Sequence, residues 1–143
     1  MKIIKFIPLF VLIFALLVSF FQLRDKLPED AQSLVETYMD AYMNGTKESA
    51  RYAHFENEVI KDAYLNGATY LIDYRIESTK RINDKLYALT VLVKTNHTGD
   101  AYMRVYNFVA LINEQWYFIN GVGNIPEELQ DNLDKSQYLY KGE

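Results

Sequence analysis

Two histidines, His54 and His97, and twelve tyrosines are the side chains of this 143-residue chain whose chemistry has to be placed first. The histidines stand far apart, and neither has a carboxylate cluster beside it, so their spacing builds no metal site. The chain has no Cys, which removes a thiolate nucleophile, a Cys-ligated zinc, a disulfide and a thioether-linked lipid. No Ser-His-Asp spacing, phosphate loop or nucleotide fingerprint occurs, so the sequence predicts no catalytic set and no cofactor. What is left is a base or donor held among apolar side chains, where burial shifts its pKa and makes it useful. His54, at the junction of two helical stretches, and Tyr38 and Tyr42, on one helical stripe, are the possible pocket residues. Asp73 and Asp40 fall off the apolar stripes, and His97 falls in a turn.

The tyrosines all follow residue 37, where they outnumber three Phe and one Trp. A tyrosine buries a large ring and keeps a polar tip, which suits strands, pocket walls and interfaces. Tyr102, Arg104 and Tyr106 share one side of a predicted strand, with Trp116 and Tyr117 across the hairpin. Aromatic side chains grouped around Arg have the composition of an interface centre, and these five residues form the predicted interaction face.

The elements that position these residues begin with a membrane segment. From Phe6 to Leu23 no charge interrupts 18 residues, and Lys2 and Lys5 precede them. As a helix this run reaches roughly 27 Å, near the hydrocarbon thickness, and is longer than the apolar core of a cleaved signal. Small residues do not stand at the paired positions a cleavage site requires. Residues 1–23 are therefore expected to form a retained transmembrane signal-anchor, with the basic N-terminus inside and the domain outside the cell membrane of a bacterial envelope. The remaining 120 residues carry thirteen basic and nineteen acidic side chains, a net charge of −6, which argues against nucleic acid as a partner. Their apolar content excludes disorder, and their length suits one domain.

After a linker at 24–27, Pro28-Glu29-Asp30 starts a helix over 28–44, with Ala31, Leu34, Val35, Tyr38 and Tyr42 on one stripe and Asn44-Gly45 as its stop. Two short helices follow over 47–54 and 56–66, the first capped by Thr46, and Val59, Ile60, Ala63 and Tyr64 carry the second stripe. The period then changes from 3.6 to 2. Tyr70, Ile72, Tyr74 and Ile76 predict the apolar face of a first strand; 86–95 is a second, with Tyr87, Leu89, Val91 and Val93 on one face. A third spans 101–113, and Trp116-Tyr117-Phe118-Ile119 makes a fourth after a turn at Asn113-Glu114. Helices followed by an antiparallel meander give an α+β fold: two or three helices packed on a curved four-stranded sheet. Residues 125–143 read as one short helical turn and a mobile tail.

The helix Ala31 to Met43, the break Asn44-Gly45-Thr46, the stretch Phe55-Glu56-Asn57-Glu58-Val59, and the pairing of Tyr102–Asn113 with Gln115–Asn120 resemble the nuclear transport factor 2-like superfamily. The resemblance spans roughly residues 28–122, within an expected domain of 28–124, and implies a sheet wrapped round the first helix into a cone. Enzymes similar to ketosteroid isomerase or dehydratases use that cone as an apolar pocket, and membrane-anchored relatives use it as a scaffold, often dimerising through the outer sheet face. The large residues Leu34, Tyr38, Tyr42, Leu89, Leu111 and Phe118 are expected to fill the interior and leave a small pocket or none. The reading from sequence is thus a non-catalytic, membrane-anchored, extracytoplasmic interaction module that meets a protein partner or a second copy through its sheet. The alternative is a binder or isomerase of small apolar molecules acting inside the cone.

Overall fold

The computed structural model describes residues 7–139. Its order is α1 (Ile7–Asp25), α2 (Glu29–Met43), α3 (Thr46–Ser49), α4 (Glu58–Asn66), then β1 (Leu71–Asn83), β2 (Leu86–Thr95), β3 (Met103–Ile112) and β4 (Gln115–Asn120). The strands form one antiparallel meander in the order β1-β2-β3-β4. The architecture is α+β, with helices packed on a four-stranded sheet.

α1 exposes Leu9, Phe10, Leu12, Phe14, Leu16, Phe20 and Leu23 on all its sides. Among the described residues no helix is long and apolar enough to cross a membrane; Lys2, Lys5 and Phe6 of the expected anchor lie outside them. The expected linker at 24–27 is docked. Asp25 accepts from the Arg81 amide through Oδ1 and from the Thr79 hydroxyl through its carbonyl, and Leu27 enters the core.

Pro28 precedes α2 as expected, and Asn44 closes it. The next turn differs from the expected cap. Gly45, at φ +112°, occupies the N-cap position, which its missing Cβ allows, while Thr46 turns its hydroxyl to the Leu65 carbonyl. Beyond α3 the chain tightens into a 3-10 turn at Ala50–Tyr52, and the Asn57 side chain caps α4 by accepting from the Ile60 amide. Val59 of the predicted stripe is exposed, whereas Ile60 and Tyr64 are half-buried.

The face of β1 changes part-way along. A bulge between Leu71 and Asp73 puts two residues opposite one, and the side-chain alternation slips by one there. Leu71 is therefore core, Tyr70 and Ile72 face solvent, and Tyr74 and Ile76 face inward again. A strict period of two assigned Tyr70 and Ile72 to the wrong face. β3 starts two residues later and ends one earlier than expected; Asn113 and Glu114, both at positive φ, make the predicted tight hairpin turn.

The sheet has two covered surfaces. Its inner face holds Leu89, Val91, Val109 and Phe118 against Ala31, Val35, Tyr38 and Met39 of α2. On the outer face Ala88, Phe108, Ala110 and Ile119 are covered by Ile125 and Leu129. The C-terminal segment forms 3-10 turns at Glu127–Leu129 and Lys135–Tyr138 and lies on the sheet through Tyr138, whose ring meets Phe108 and Tyr106 edge-on. Its amphipathic pattern is satisfied by that surface, so up to Leu139 the expected tail is seated; residues 140–143 lie outside the described part.

Candidate functional site

The middle of the inner face is filled, as the large residues predict: Val35, Tyr38, Leu89, Val91, Val109 and Phe118 are all buried. The interior opens at one end. Where β2 ends and β3 begins, beside the last turns of α2, a cleft of about 580 Å³ is walled by Tyr38, Met39, Tyr42, Val93, Val105 and Phe118. That volume corrects the expectation of a small or absent pocket and falls within the range of small-molecule sites, about 300 to 1,000 Å³. The gap has a local cause. α2 stops at Met43, and at the level of its last turn the sheet presents Asn107, Asn120 and Thr95 where large apolar side chains would otherwise close the interior.

Tyr38 and Tyr42 line this cleft as predicted, and His54 does not. The His54 amide donates to the Phe118 carbonyl, and its ring meets Tyr117 edge-on, in a separate depression shared with Asn124 and Pro126. The parallel bridge between Ala53 and Phe118 places the chain along the β4 edge, which turns His54 away from the interior. The histidine at the cleft is His97, carried there by the turn after β2. Asp73 and Asp40 are exposed, off the inner face, as their positions predict.

A chain of polar side chains runs from α3 to the cleft. Ser49, buried, bonds back to the Gly45 and Thr46 carbonyls and lies 2.6 Å from the Tyr64 hydroxyl. Tyr64 lies 2.7 Å from the Tyr38 hydroxyl, which receives the Asn120 amide group at 3.0 Å. Asn120 Oδ1 in turn accepts from Asn107 Nδ2 at 3.3 Å. The Tyr38 ring stacks flat on Phe118 with centroids 3.7 Å apart, so packing fixes the position of its hydroxyl. Burial, then the neighbouring Tyr64, holds the Tyr38 pKa well above the usual tyrosine range. Burial raises Tyr64 too, while its bonds with Ser49 and Tyr38 pull it back. Tyr42 is pushed up to about 12 by burial and by Tyr64. All three phenols therefore stay neutral in ordinary buffers and act as hydrogen-bond donors and acceptors. No carboxylate and no Lys or Arg stands among the described residues that line the cleft.

The predicted interaction face divides. Tyr102, Arg104, Tyr106 and Tyr117 lie on the outer surface, but Trp116 points inward, packed on the core with its ring edge-on to Tyr87. In the β3–β4 register Trp116 pairs with Leu111 and Phe118 with Val109, so parity puts Trp116 on the Phe118 side. Across β2, Arg104 makes two hydrogen bonds to the Glu77 carboxylate, at 2.8 and 3.1 Å, and the Tyr102 hydroxyl donates to Asp73. Each contact holds its carboxyl below the usual range.

Ser49, Tyr64, Met39, Asn107 and Asn120 were not singled out as site residues from sequence. Asn107 gave a usable signal, a polar residue inside the apolar run Val105 to Ile112. Ser49 and Tyr64 gave none, because only the packing of α3 and α4 on α2 brings them to Tyr38. No family model, curated protein or solved structure matches this chain.

Proposed function

We propose that this chain is a membrane-tethered binding domain of a bacterial envelope that takes a small, largely apolar molecule into the cleft beside Tyr38, without transforming it. The observation that carries this reading is the cleft itself: a volume of ligand size under mainly apolar walls, with the polar groups of Tyr38, Asn107 and Asn120 among its lining. Pockets that bind small molecules have this composition. Proton-transfer chemistry needs an oriented base near the bound carbon; the one base among the described lining residues is His97, and no carboxylate stands there to orient it. The resemblance to the nuclear transport factor 2-like cone agrees with a pocket at this end. The tether rests on the uncharged run from Phe6 to Leu23 and on the apolar side chains that α1 exposes on every side, a distribution that suits hydrocarbon and not water.

Replacing Val105 by Trp tests the pocket. The added ring should fill the cleft and abolish uptake of apolar probes, followed through the methyl signals of Met39 and Met103. Unchanged uptake would remove this reading. Alkaline carbonate extraction tests the tether, which predicts that the chain stays with the membrane.

A second reading, association through the outer sheet, is favoured by Tyr102, 46% exposed beside the Arg104–Glu77 pair. It predicts that Arg104→Glu, which sets two acids against each other, disrupts a dimer or a captured complex. An unchanged sedimentation profile and partner recovery would remove it.

A further inference from the structure

The polar chain that ends at Asn107 specifies what the cleft can recognise, an inference that rests on the binding reading above. Ser49 spends its proton on the carbonyls of the turn before it, the usual habit of a helical serine. It therefore accepts from Tyr64, which accepts from Tyr38, which accepts from Asn120 Nδ2. Asn120 Oδ1 is left to accept from Asn107 Nδ2. If the hydroxyl protons run the other way, Tyr38 donates to Asn120 Oδ1, and that oxygen still accepts from Asn107. With its Nδ2 toward Asn120 Oδ1, Asn107 uses one N–H, while its Oδ1 and second N–H have no protein partner. Among the described residues no buried polar side-chain atom lacks a partner, so the free Oδ1 of this 92%-buried residue (8% exposed) reaches the open space of the cleft it lines.

We infer that Asn107 is the specificity-determining residue of the cleft, and that the ligand is an uncharged apolar molecule bearing a carboxamide-like head that donates to Asn107 Oδ1 and accepts from its free N–H. A carboxylate has no proton to give Oδ1, and no Lys or Arg lines the cleft to compensate its charge. A pure hydrocarbon leaves both Asn107 groups desolvated and unpaired, which is costly. The ligand comes from the aqueous side. The cleft lies at the Leu71–Thr95 end of the sheet, whereas Asp25, the end of α1, is held at Thr79, roughly 25 Å away along β1 at the usual rise per strand residue.

The test uses the full chain in lipid nanodiscs with methyl-labelled methionine. Met39 and Met103 line the cleft, and Met43, outside it, reports that the fold is intact. Three probes of one shape are titrated against empty-disc controls: 4-butylbenzamide, 4-butylbenzoate and butylbenzene. The amide should move the Met39 and Met103 signals and bind about tenfold more tightly than either analogue, and Asn107→Leu should erase that preference. Equal binding of the three probes, or an amide preference that survives Asn107→Leu with the Met43 signal unchanged, overturns the inference and leaves the pocket reading standing. Tighter binding of the benzoate also overturns it and points to His97 as an anion site. If no probe moves Met39 or Met103, the pocket reading itself fails and this inference with it.

Discussion

The two faces of the sheet carry polar groups in opposite ways. On the inner face Tyr38, Tyr64, Asn120 and Asn107 bond mainly to one another under apolar cover, and one end of the chain is left open at the cleft. On the outer face Arg104, Glu77, Tyr102 and Asp73 pair across β2 at the solvent-exposed surface. Removing one member of a buried chain strands its neighbour at a cost of about 1 to 3 kcal/mol, whereas an exposed ion pair adds little because water already solvates both charges. A polar residue kept on the inner face must therefore be paired or reach open space, and Asn107 does both: it is half paired and lines the cleft.

The largest effect should come from the apolar support of the inner chain. Phe118→Ala removes the ring on which Tyr38 stacks and should cost about 3 to 5 kcal/mol in chemical unfolding of the full chain. A loss below 1 kcal/mol would show that the inner face is not the structural core. Next, Leu129→Ala uncovers the outer cluster around Phe108 and Ile119 and should cost about 2 kcal/mol or more. If stability does not change, the C-terminal cover is dispensable and the two faces differ more than the packing implies.

Tyr38→Phe keeps the stack and deletes one hydroxyl, with an expected loss of about 1 to 3 kcal/mol. Combined with Asn120→Leu, the double variant should lose less than the sum of the two single changes, because both break one chain. Strict additivity would mean that the chain is not a unit. The pH dependence has a defined sign. Unfolded Tyr42 ionises near 10, while the folded protein holds its proton up to about 12; the stability it supplies is complete below pH 10 and is lost as pH rises from 10 to 12. Alkaline unfolding followed by tyrosinate absorbance should shift upward in Tyr42→Phe, and an unmoved midpoint contradicts its burial at the cleft wall. The smallest effect belongs to the outer face. Arg104→Ala should barely change stability, and what change there is should vanish in high salt. A loss matching that of Tyr38→Phe would erase the contrast between the faces.

The sequence by itself determined the element types and most of the wall. The 3.6-residue stripe of α2 and the alternation Tyr87-Leu89-Val91-Val93 in β2 each report a buried face directly, because regular elements repeat their side-chain directions. The turn at Asn113-Glu114 and the stop at Asn44-Gly45 were legible for the same local reason. Tertiary structure decided the rest. The bulge in β1 moved Tyr70 and Ile72 outward, strand register sent Trp116 inward, and the bridge at Ala53 carried His54 outside while the β2–β3 turn brought His97 to the cleft. Ser49 and Tyr64 reach Tyr38 only through the packing of three helices. The cleft itself is a difference between the reach of α2 and that of the strands, and such a difference in lengths and volumes appears only when the elements are assembled.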